Sequence, residues 1–459
     1  MIDLNESRPL PLYESVYRQL REEISTGQRK AGEKLPSKRT LASQLGISIN
    51  TVETAYRQLE SEGYVEARER SGFYVLPLSV LKQGTVRELQ PDYVQHCPKP
   101  EIDFAVGAVD EALFPMGIWQ RLTRASLNTA GILNRSEAQG DAGLRLEIAR
   151  YLARARGVHC DPEQILLGPG TDYLMQVLSG LLPECCTFAV ENPAYHKAYL
   201  HFSRMGHQVL PAKMDGKGVL IEPLEELDNI VVYTAPSHQY PLGFAMPMGR
   251  RTALLSWCSR GSFRYVIEDD YDSEFRYDAR PLPSLQSIDH LDRVVYLGTM
   301  SGVISPSLRI SYMILPPALL SSLRKQPVPY SCGISTLSQF TLREFMAQGY
   351  FEKHLNRMRV CYKNRRRELE ELLRPYEKTL RVIGAQAGSY LLVQIKNGAG
   401  ERALCDTALE KGVGVYPISP YFIAEIPPEY RNTVLLGFGN LTSGQMRRGV
   451  ALLAEAWNL

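Results

Sequence analysis

Two apolar runs end in side chains that can bind a ligand. Residues 294–297 predict a buried strand that enters a polar turn at Thr299, and residues 265–267 predict a second strand that ends in carboxylates, among them Asp269. Short apolar strands that end in this way present ligands at the carboxyl edge of an α/β sheet. Arg309 adds a guanidinium, whose fork of N–H donors suits phosphate oxygens. These residues indicate a ligand site at this edge of the sheet.

A Gly-rich turn forms a third candidate element of this site. Gly170, Thr171 and Asp172 follow the strand predicted at residues 164–167 and begin a predicted helix. Backbone N–H groups at the start of a helix can hold a phosphate. A carboxylate that faces a phosphate is unfavourable, so we expect only the backbone of Asp172 to point toward it.

Strand-like and helical runs alternate through most of the chain. Alternation of this kind predicts a mostly parallel βαβ sheet covered by helices. Beyond about residue 315, the pattern predicts one long helix over 337–374 and a small α/β lobe with strands near 390–393 and 433–436.

The strand ends resemble the cofactor-binding core of the fold-type I aminotransferases, which hold pyridoxal 5'-phosphate (PLP). The resemblance implies that Asp269 pairs with the pyridine nitrogen, that Tyr271 faces the phenolic oxygen and that Tyr195 stacks on the ring. Thr299 and Arg309 are implied to hold the phosphate. The full set of implied PLP-binding residues is Gly170, Thr171, Asp172, Tyr195, Ser237, His238, Asp269, Tyr271, Thr299, Ser301, Gly302 and Arg309.

The loop at residues 236–243 departs from the aminotransferase pattern. In that family the loop carries an Asn to the phenolic oxygen of the cofactor, whereas this sequence has no Asn there. Either Ser237 or His238 would have to donate instead, and the sequence leaves both possible.

Gly302 stands where the family has the lysine that forms the Schiff base. No lysine occurs between Lys217 and Lys325, so a shift of a few residues supplies no amine. An aminotransferase needs that amine as the resident imine and as the base that moves the substrate proton. We expect transamination to be lost or very slow, and PLP to bind non-covalently or as an external aldimine made in solution. Gly302 is either a deliberate replacement, which the otherwise well-kept motif favours, or a feature of a natural non-catalytic sensor.

A second departure concerns the late arginine that grips the substrate carboxylate in aminotransferases. The matching position is Leu435, and Arg431 is close in sequence. If no arginine reaches the pocket, the effector would be PLP itself rather than a PLP–amino acid adduct.

The first part of the chain predicts a DNA-binding head. Residues 12–26, 38–45 and 51–62 predict helices, and residues 63–75 predict a hairpin, or wing. Two short helices around a Gly-containing turn form a helix-turn-helix pattern. Residues 36–59 resemble the winged helix-turn-helix of the GntR family. The residues proposed to contact DNA are Ser37, Lys38, Arg39, Ser48, Asn50, Thr51, Arg68 and Arg70.

One departure within the head is Ile49, where the GntR family often has Arg. The union of a GntR head with an aminotransferase-like domain resembles the MocR subfamily of regulators. The predicted domains are a winged helix-turn-helix at 9–77, a linker at 78–100 and an aminotransferase-like effector-binding and dimerisation domain at 101–459.

Composition sets further expectations. The 459 residues are 44% hydrophobic and 22% charged with a net charge of +2, which is typical of a soluble multidomain protein. Eight scattered cysteines give no metal-binding spacing and fit a reducing cytoplasm, and no signal peptide or membrane segment is expected.

The sequence predicts a cytoplasmic, PLP-responsive transcription regulator rather than an enzyme. Its expected partners are double-stranded operator DNA, PLP or a PLP–amino acid adduct, and a second copy of the chain in a head-to-tail homodimer. The alternative is a PLP-dependent aminotransferase whose helix-turn-helix head only aids assembly.

Overall fold

A computed structural model describes residues 11–77, 99–134, 136–277, 282–326, 330–384 and 387–459. The chain divides into two compact units, Met1–His96 and Cys97–Leu459. Most of the predicted linker, residues 78–98, lies outside the described residues.

The first unit is a three-helix head with a β-hairpin. Its elements are α1 (Leu12–Ser25), α2 (Lys38–Leu45), α3 (Ile49–Ser61), β1 (Val65–Arg68) and β2 (Gly72–Val75). Apolar residues spaced four apart on α1, including Val16 and Leu20, pack against fully buried Val52 and Leu59 of α3. The head predicted from sequence is confirmed, except that α3 begins at Ile49 and not at residue 51 because Ser48 caps it.

The second unit contains the remaining strands and helices. Its strands are β3 (Ile102–Asp103), β4 (Ile165–Gly168), β5 (Thr187–Glu191), β6 (Gln208–Ala212), β7 (Met214–Asp215), β8 (Gly218–Val219), β9 (Ile230–Thr234), β10 (Arg264–Asp270), β11 (Val294–Thr299), β12 (Ser311–Ile314), β13 (Leu380–Ile383), β14 (Tyr390–Ile395), β15 (Val413–Gly414), β16 (Tyr416–Pro417) and β17 (Thr433–Gly437). Its helices are α4 (Met116–Leu127), α5 (Ala142–Arg156), α6 (Thr171–Ser179), α7 (His196–Arg204), α8 (Met248–Ser259), α9 (Pro317–Arg324), α10 (Thr336–Ala347), α11 (Tyr350–Leu373), α12 (Glu401–Glu410) and α13 (Ser443–Trp457).

The main sheet has seven strands in the order β4-β12-β11-β10-β9-β5-β6. Neighbouring strands from β11 to β6 are parallel, while β12 runs antiparallel to both β11 and β4. β9 and β10 are buried along their whole length, and β11 nearly so, as expected of strands covered by helices on both faces. The predicted parallel sheet is confirmed, and its carboxyl ends bring Asp269 and Thr299 to one edge.

The small lobe is built on the antiparallel strands β13, β14, β17 and β16. The single long helix expected over residues 337–374 is wrong: α10 ends at Ala347 and α11 begins at Tyr350. Gly349, with φ of +73°, separates them, since a left-handed residue cannot continue a right-handed helix.

Candidate cofactor cavity and nucleic-acid interface

A cavity of about 300 Å³ opens at the carboxyl ends of the main sheet. Most of the cofactor residues predicted from sequence line it together, although they come from five separate stretches of chain. These are Gly170, Thr171, Tyr195, Asp269, Tyr271, Thr299, Ser301, Gly302 and Arg309.

One end of the cavity is built to receive an anion. Gly170, with φ of +115°, precedes α6, and a Cβ placed there would lie 2.2 Å from Nη2 of Arg309. Glycine is therefore required for the guanidinium to lie against the start of this helix. The Oγ1 of Thr299 accepts hydrogen bonds from the Ser301 N–H at 3.1 Å and the Ser311 hydroxyl at 3.0 Å. A guanidinium, a helix start and a hydroxyl in one place suit a phosphate group.

Asp269 is the penultimate residue of the buried strand β10 and presents an unpaired oxygen. Its Oδ2 accepts a hydrogen bond from the Tyr233 hydroxyl, whereas Oδ1 is buried without a hydrogen-bond partner among the described residues. Burial raises the pKa of Asp269 to about 7, partly offset by the Tyr233 hydrogen bond. A buried carboxylate oxygen without a donor suits a protonated ring nitrogen, which would supply both the hydrogen bond and the charge.

Tyr271 lines the cavity, but Ser237 and His238 lie behind it. Nδ1 of His238 is 2.9 Å from the Tyr271 hydroxyl and 2.8 Å from Oδ2 of Asp272. The Ser237 hydroxyl instead accepts from Arg156 at 2.5 Å. Neither of the two donors expected for the phenolic oxygen is among the cavity-lining residues, because both side chains are engaged in buried networks. In this geometry His238 orients Tyr271.

Asp172 and Tyr195 differ in where their side chains lie relative to the cavity. The Asp172 side chain does not line the cavity, and its Oδ2 lies 4.0 Å from Nζ of Lys197, so only the neighbouring Thr171 faces the space. Tyr195 does line the cavity, immediately before α7, and burial raises the pKa of its hydroxyl.

Gly302 also lines the cavity, and its backbone does not require glycine. The φ of Gly302 lies outside the left-handed region, and a Cβ placed there would meet only the Tyr271 carbonyl oxygen, at an ordinary contact of 3.7 Å. A side chain at this position is therefore sterically possible.

Several cavity residues were not predicted from sequence, among them Glu191, Tyr233, Tyr240, Asp272 and Tyr390. The Glu191 carboxylate accepts from the Thr234 hydroxyl at 2.5 Å and the Ala235 N–H at 3.1 Å, and burial raises its pKa to about 7. Glu191 could have been predicted from its position at the carboxyl end of β5, because Asp269 lies at the carboxyl end of β10 and was predicted for that reason. Tyr390 comes from the small lobe, more than a hundred residues from Asp269, and carries no local signal.

The two residues considered for binding a substrate carboxylate do not provide a cation at the cavity. Leu435 is fully buried in an apolar cluster, and the exposed Arg431 forms a 3.4 Å ion pair with Glu425. Neither residue lines the cavity.

In the head, two predicted DNA contacts cap helices. The Ser37 hydroxyl accepts from the Thr40 N–H, and the Ser48 hydroxyl accepts from the Thr51 N–H, each at 3.1 Å. These bonds satisfy N–H groups at the starts of α2 and α3. The exposed Asn50 lies one residue inside the start of α3 and remains a candidate for contact with bases.

The basic residues predicted to contact DNA differ in their side-chain contacts and in their exposure. Nζ of Lys38 lies 3.0 Å from Glu53, and the guanidinium of Arg68 lies over the Tyr74 ring at 4.4 Å. Arg39 is exposed on α2, and Arg70 is exposed at the tip of the hairpin with φ of +57°. The hairpin thus presents two guanidinium groups to solvent.

Comparison with known proteins identifies both parts of the chain. Residues 12–75 match the family of bacterial regulatory proteins described as gntR. The chain is 37% identical to the HTH-type transcriptional regulator YdeL of Bacillus subtilis, over 99% of both chains. It is 30% identical to the probable rhizopine catabolism regulatory protein MocR of Rhizobium meliloti, over 100% of this chain and 96% of that protein.

The chain belongs to the MocR subfamily of GntR-type transcription regulators. Its larger part has the fold-type I aminotransferase fold. An archaeal alanine:glyoxylate aminotransferase superposes with a TM-score of 0.70 and 26% identity, over 81% of this chain and 93% of that chain. The α-aminoadipate aminotransferase LysN of Thermus thermophilus, complexed with N-(5'-phosphopyridoxyl)-L-leucine, superposes with a TM-score of 0.67 and 25% identity, over 78% of this chain and 92% of that chain.

Two other kinds of feature are absent from the described residues. Within them, no His, Cys, Asp and Glu side chains group in a way that could hold a metal ion. No helix in the same part of the chain is long and apolar enough to span a bilayer.

Proposed function

We propose that this protein is a PLP-responsive transcription regulator, in which the head binds double-stranded operator DNA and the aminotransferase-like domain binds PLP. The observation that carries the proposal is the convergence of Asp269, Thr299 and Arg309 on one cavity. These residues offer a carboxylate, a hydroxyl and a guanidinium, which are the groups that a phosphorylated pyridine requires at its two charged ends.

Each element of the cavity would have a separate task in holding the ligand. Arg309 and Thr299, beside the start of α6, would hold the phosphate. The unpaired Oδ1 of Asp269 would accept the pyridinium N–H, Tyr271 would donate to the phenolic oxygen and Tyr195 would lie against the ring. When bound, PLP supplies an electron-withdrawing ring to an amine that is joined to it.

Because position 302 is a glycine, we expect PLP to bind without being turned over. A glycine at the Schiff-base position offers no amine to tether PLP or to move a substrate proton, so transamination is lost or very slow. The ligand is then PLP, or an adduct formed before it binds, held by non-covalent contacts. The transcriptional regulator names of the full-length relatives support this role.

We further propose that the protein acts in the cytoplasm as a head-to-tail homodimer. One winged helix-turn-helix contacts a single half-site, and a dimer presents two such modules to a palindromic or repeated operator. PLP changes DNA affinity only if it binds one arrangement of the heads more tightly than another.

The test is a DNA-binding titration of the full chain with and without PLP, on a duplex selected from a random pool by the protein itself. We expect PLP to change the apparent affinity, and we expect Arg309→Gln to remove that change while leaving affinity without PLP intact. Equal affinities with and without PLP in the unmodified protein would eliminate PLP as the effector.

A second candidate function is an aminotransferase with an accessory head, favoured by the position of Asp269 in the cavity and by the enzymes that share the fold. Single-turnover absorbance with a panel of amino acids separates the two functions. Steady conversion of bound PLP to the pyridoxamine form would support the enzyme and refute the regulator without turnover.

A further inference from the structure

A second part of the cavity is lined by residues that differ in chemistry from those at the phosphate end. Its wall includes residues 106–109, together with Phe275 and the aromatic rings of Tyr240 and Tyr390. Behind these rings lies an apolar cluster that includes the fully buried Leu435 and Leu392. We call this part of the cavity the distal wall.

The distal wall offers no positive charge. Arg309 is the only Lys or Arg among the described residues that line the cavity, and it lies against Gly170 at the phosphate end. Arg365 reaches the carbonyl of Gly439 near this wall, but its guanidinium also donates to the Asp110 carboxylate, which neutralises it.

The hydroxyl groups near the distal wall carry no charge to balance an anion. The Tyr362 hydroxyl, beside Phe275, is buried without a hydrogen-bond partner among the described residues, so it could donate one bond but no positive charge. The Tyr390 hydroxyl donates to the Pro241 carbonyl oxygen at 3.1 Å, so its proton is already used. The cavity contains three carboxyl groups, of Glu191, Asp269 and Asp272, against the one guanidinium. A carboxylate on the ligand would be partly desolvated in this space and would find no cationic partner among the described lining residues except Arg309, which is assigned to the phosphate.

We propose that the cavity selects phosphopyridoxyl ligands whose distal group carries no carboxylate, so that PLP or its adduct with a simple amine binds in preference to its adduct with an amino acid. This inference rests on the proposed PLP binding and names the ligand class of the same site. Val106, Tyr240 and Tyr390 would contact the distal group of the ligand.

The test is calorimetric titration of the full chain with two stable ligands that differ by one carboxylate, N-(5'-phosphopyridoxyl)-ethylamine and N-(5'-phosphopyridoxyl)-L-alanine. We expect the ethylamine ligand to bind at least tenfold more tightly. Equal affinities, or tighter binding of the alanine ligand, would overturn the inference. Failure of PLP and of both adducts to bind would instead refute the proposed function.

A substitution in the distal wall tests whether this wall causes the preference for the ethylamine ligand. Val106 is half-buried and lines the distal wall, so Val106→Arg would place a guanidinium there, with Val106→Gln as the uncharged control. We expect the arginine variant to reduce the preference for the ethylamine ligand at least tenfold, and the glutamine variant to leave it within about threefold. An unchanged ratio in a folded arginine variant would contradict the assignment of this wall. If that variant fails to fold, as judged by circular dichroism, the ligand pair on the unmodified chain still decides the inference.

Discussion

Replacing Asp269 by Asn should have opposite effects on the stability of the ligand-free protein and on its affinity for PLP. The carboxyl group is buried, one of its oxygens has no partner among the described residues, and its pKa is raised to about 7 from an ordinary value of 3.8. Folding without ligand therefore favours the protonated acid over the carboxylate. An amide of the same shape removes the cost of burying the charge.

The sign and size follow from the pKa difference. The pKa of Asp269 is higher in the folded protein than in the unfolded chain. Its contribution to the free energy of unfolding is therefore fully present below about pH 4 and is lost as pH rises to about 7. At 1.36 kcal/mol per unit, the loss between pH 5 and pH 8 is about 3 kcal/mol, as an upper bound. Asp269→Asn should not show this loss. Between pH 5 and pH 8, its free energy of unfolding should therefore rise by up to that amount relative to that of the unmodified protein.

The assay is urea unfolding without PLP at pH 5 and pH 8, followed by tryptophan fluorescence. All three tryptophans, Trp119, Trp257 and Trp457, belong to the larger unit, so the signal does not report on the head. PLP titrations of the same proteins should show affinity weakened about tenfold to a hundredfold, since a hydrogen bond to a charged group contributes about 1.5–3 kcal/mol.

Glu191→Gln is the matched control for this experiment. Glu191 lines the same cavity and its pKa is also raised to about 7 by burial, but its oxygens already accept from Thr234 and Ala235. Glu191→Gln should change the pH dependence of the free energy of unfolding in the same direction as Asp269→Asn does, but it should reduce PLP affinity less. Undiminished PLP binding by Asp269→Asn, or equal losses in both variants, would refute the role given to Asp269.

Three further predictions concern other residues. Gly302→Lys, for which the backbone leaves space, should retain PLP through dialysis and gain the mass of one phosphopyridoxyl group after borohydride reduction. An unchanged mass would show that position 302 does not reach the cofactor aldehyde. Ser48→Ala should weaken the start of α3 by about 1 kcal/mol, seen as roughly fivefold faster hydrogen exchange in residues 49–61, with the exposed Ser61→Ala as control. Ile49→Arg should steepen the dependence of the logarithm of DNA affinity on the logarithm of salt concentration by about one, while Ile49→Gln should not.

Local sequence signals predicted the cavity where they coincided with strand ends. Asp269, Thr299 and Gly170 each follow an apolar run, and parallel strands bring such positions to one edge of a sheet whatever their separation in sequence. Short-range chemistry likewise predicted the serine caps of α2 and α3, because a cap depends on residues two or three positions away.

Local signals failed where a side chain is positioned by distant partners. His238 was a candidate ligand by its place in a loop, yet Asp272, 34 residues later, holds its ring behind the cavity. Tyr390 enters from the small lobe, and no periodic pattern predicts which lobe residue will reach the sheet. Gly349 was missed as a break because α10 and α11 have helical patterns on both sides of it.

The proposed absence of a covalent bond bears on how such a protein can report a ligand concentration. A Schiff base to lysine would lower the dissociation constant for PLP and slow its release, so the site would stay occupied at lower concentrations of free PLP. With Gly302 at that position, occupancy would depend on the contacts of Arg309, Thr299 and Asp269 and would follow the free concentration of ligand around the dissociation constant. The same glycine that removes turnover would therefore raise the dissociation constant for PLP and speed its release.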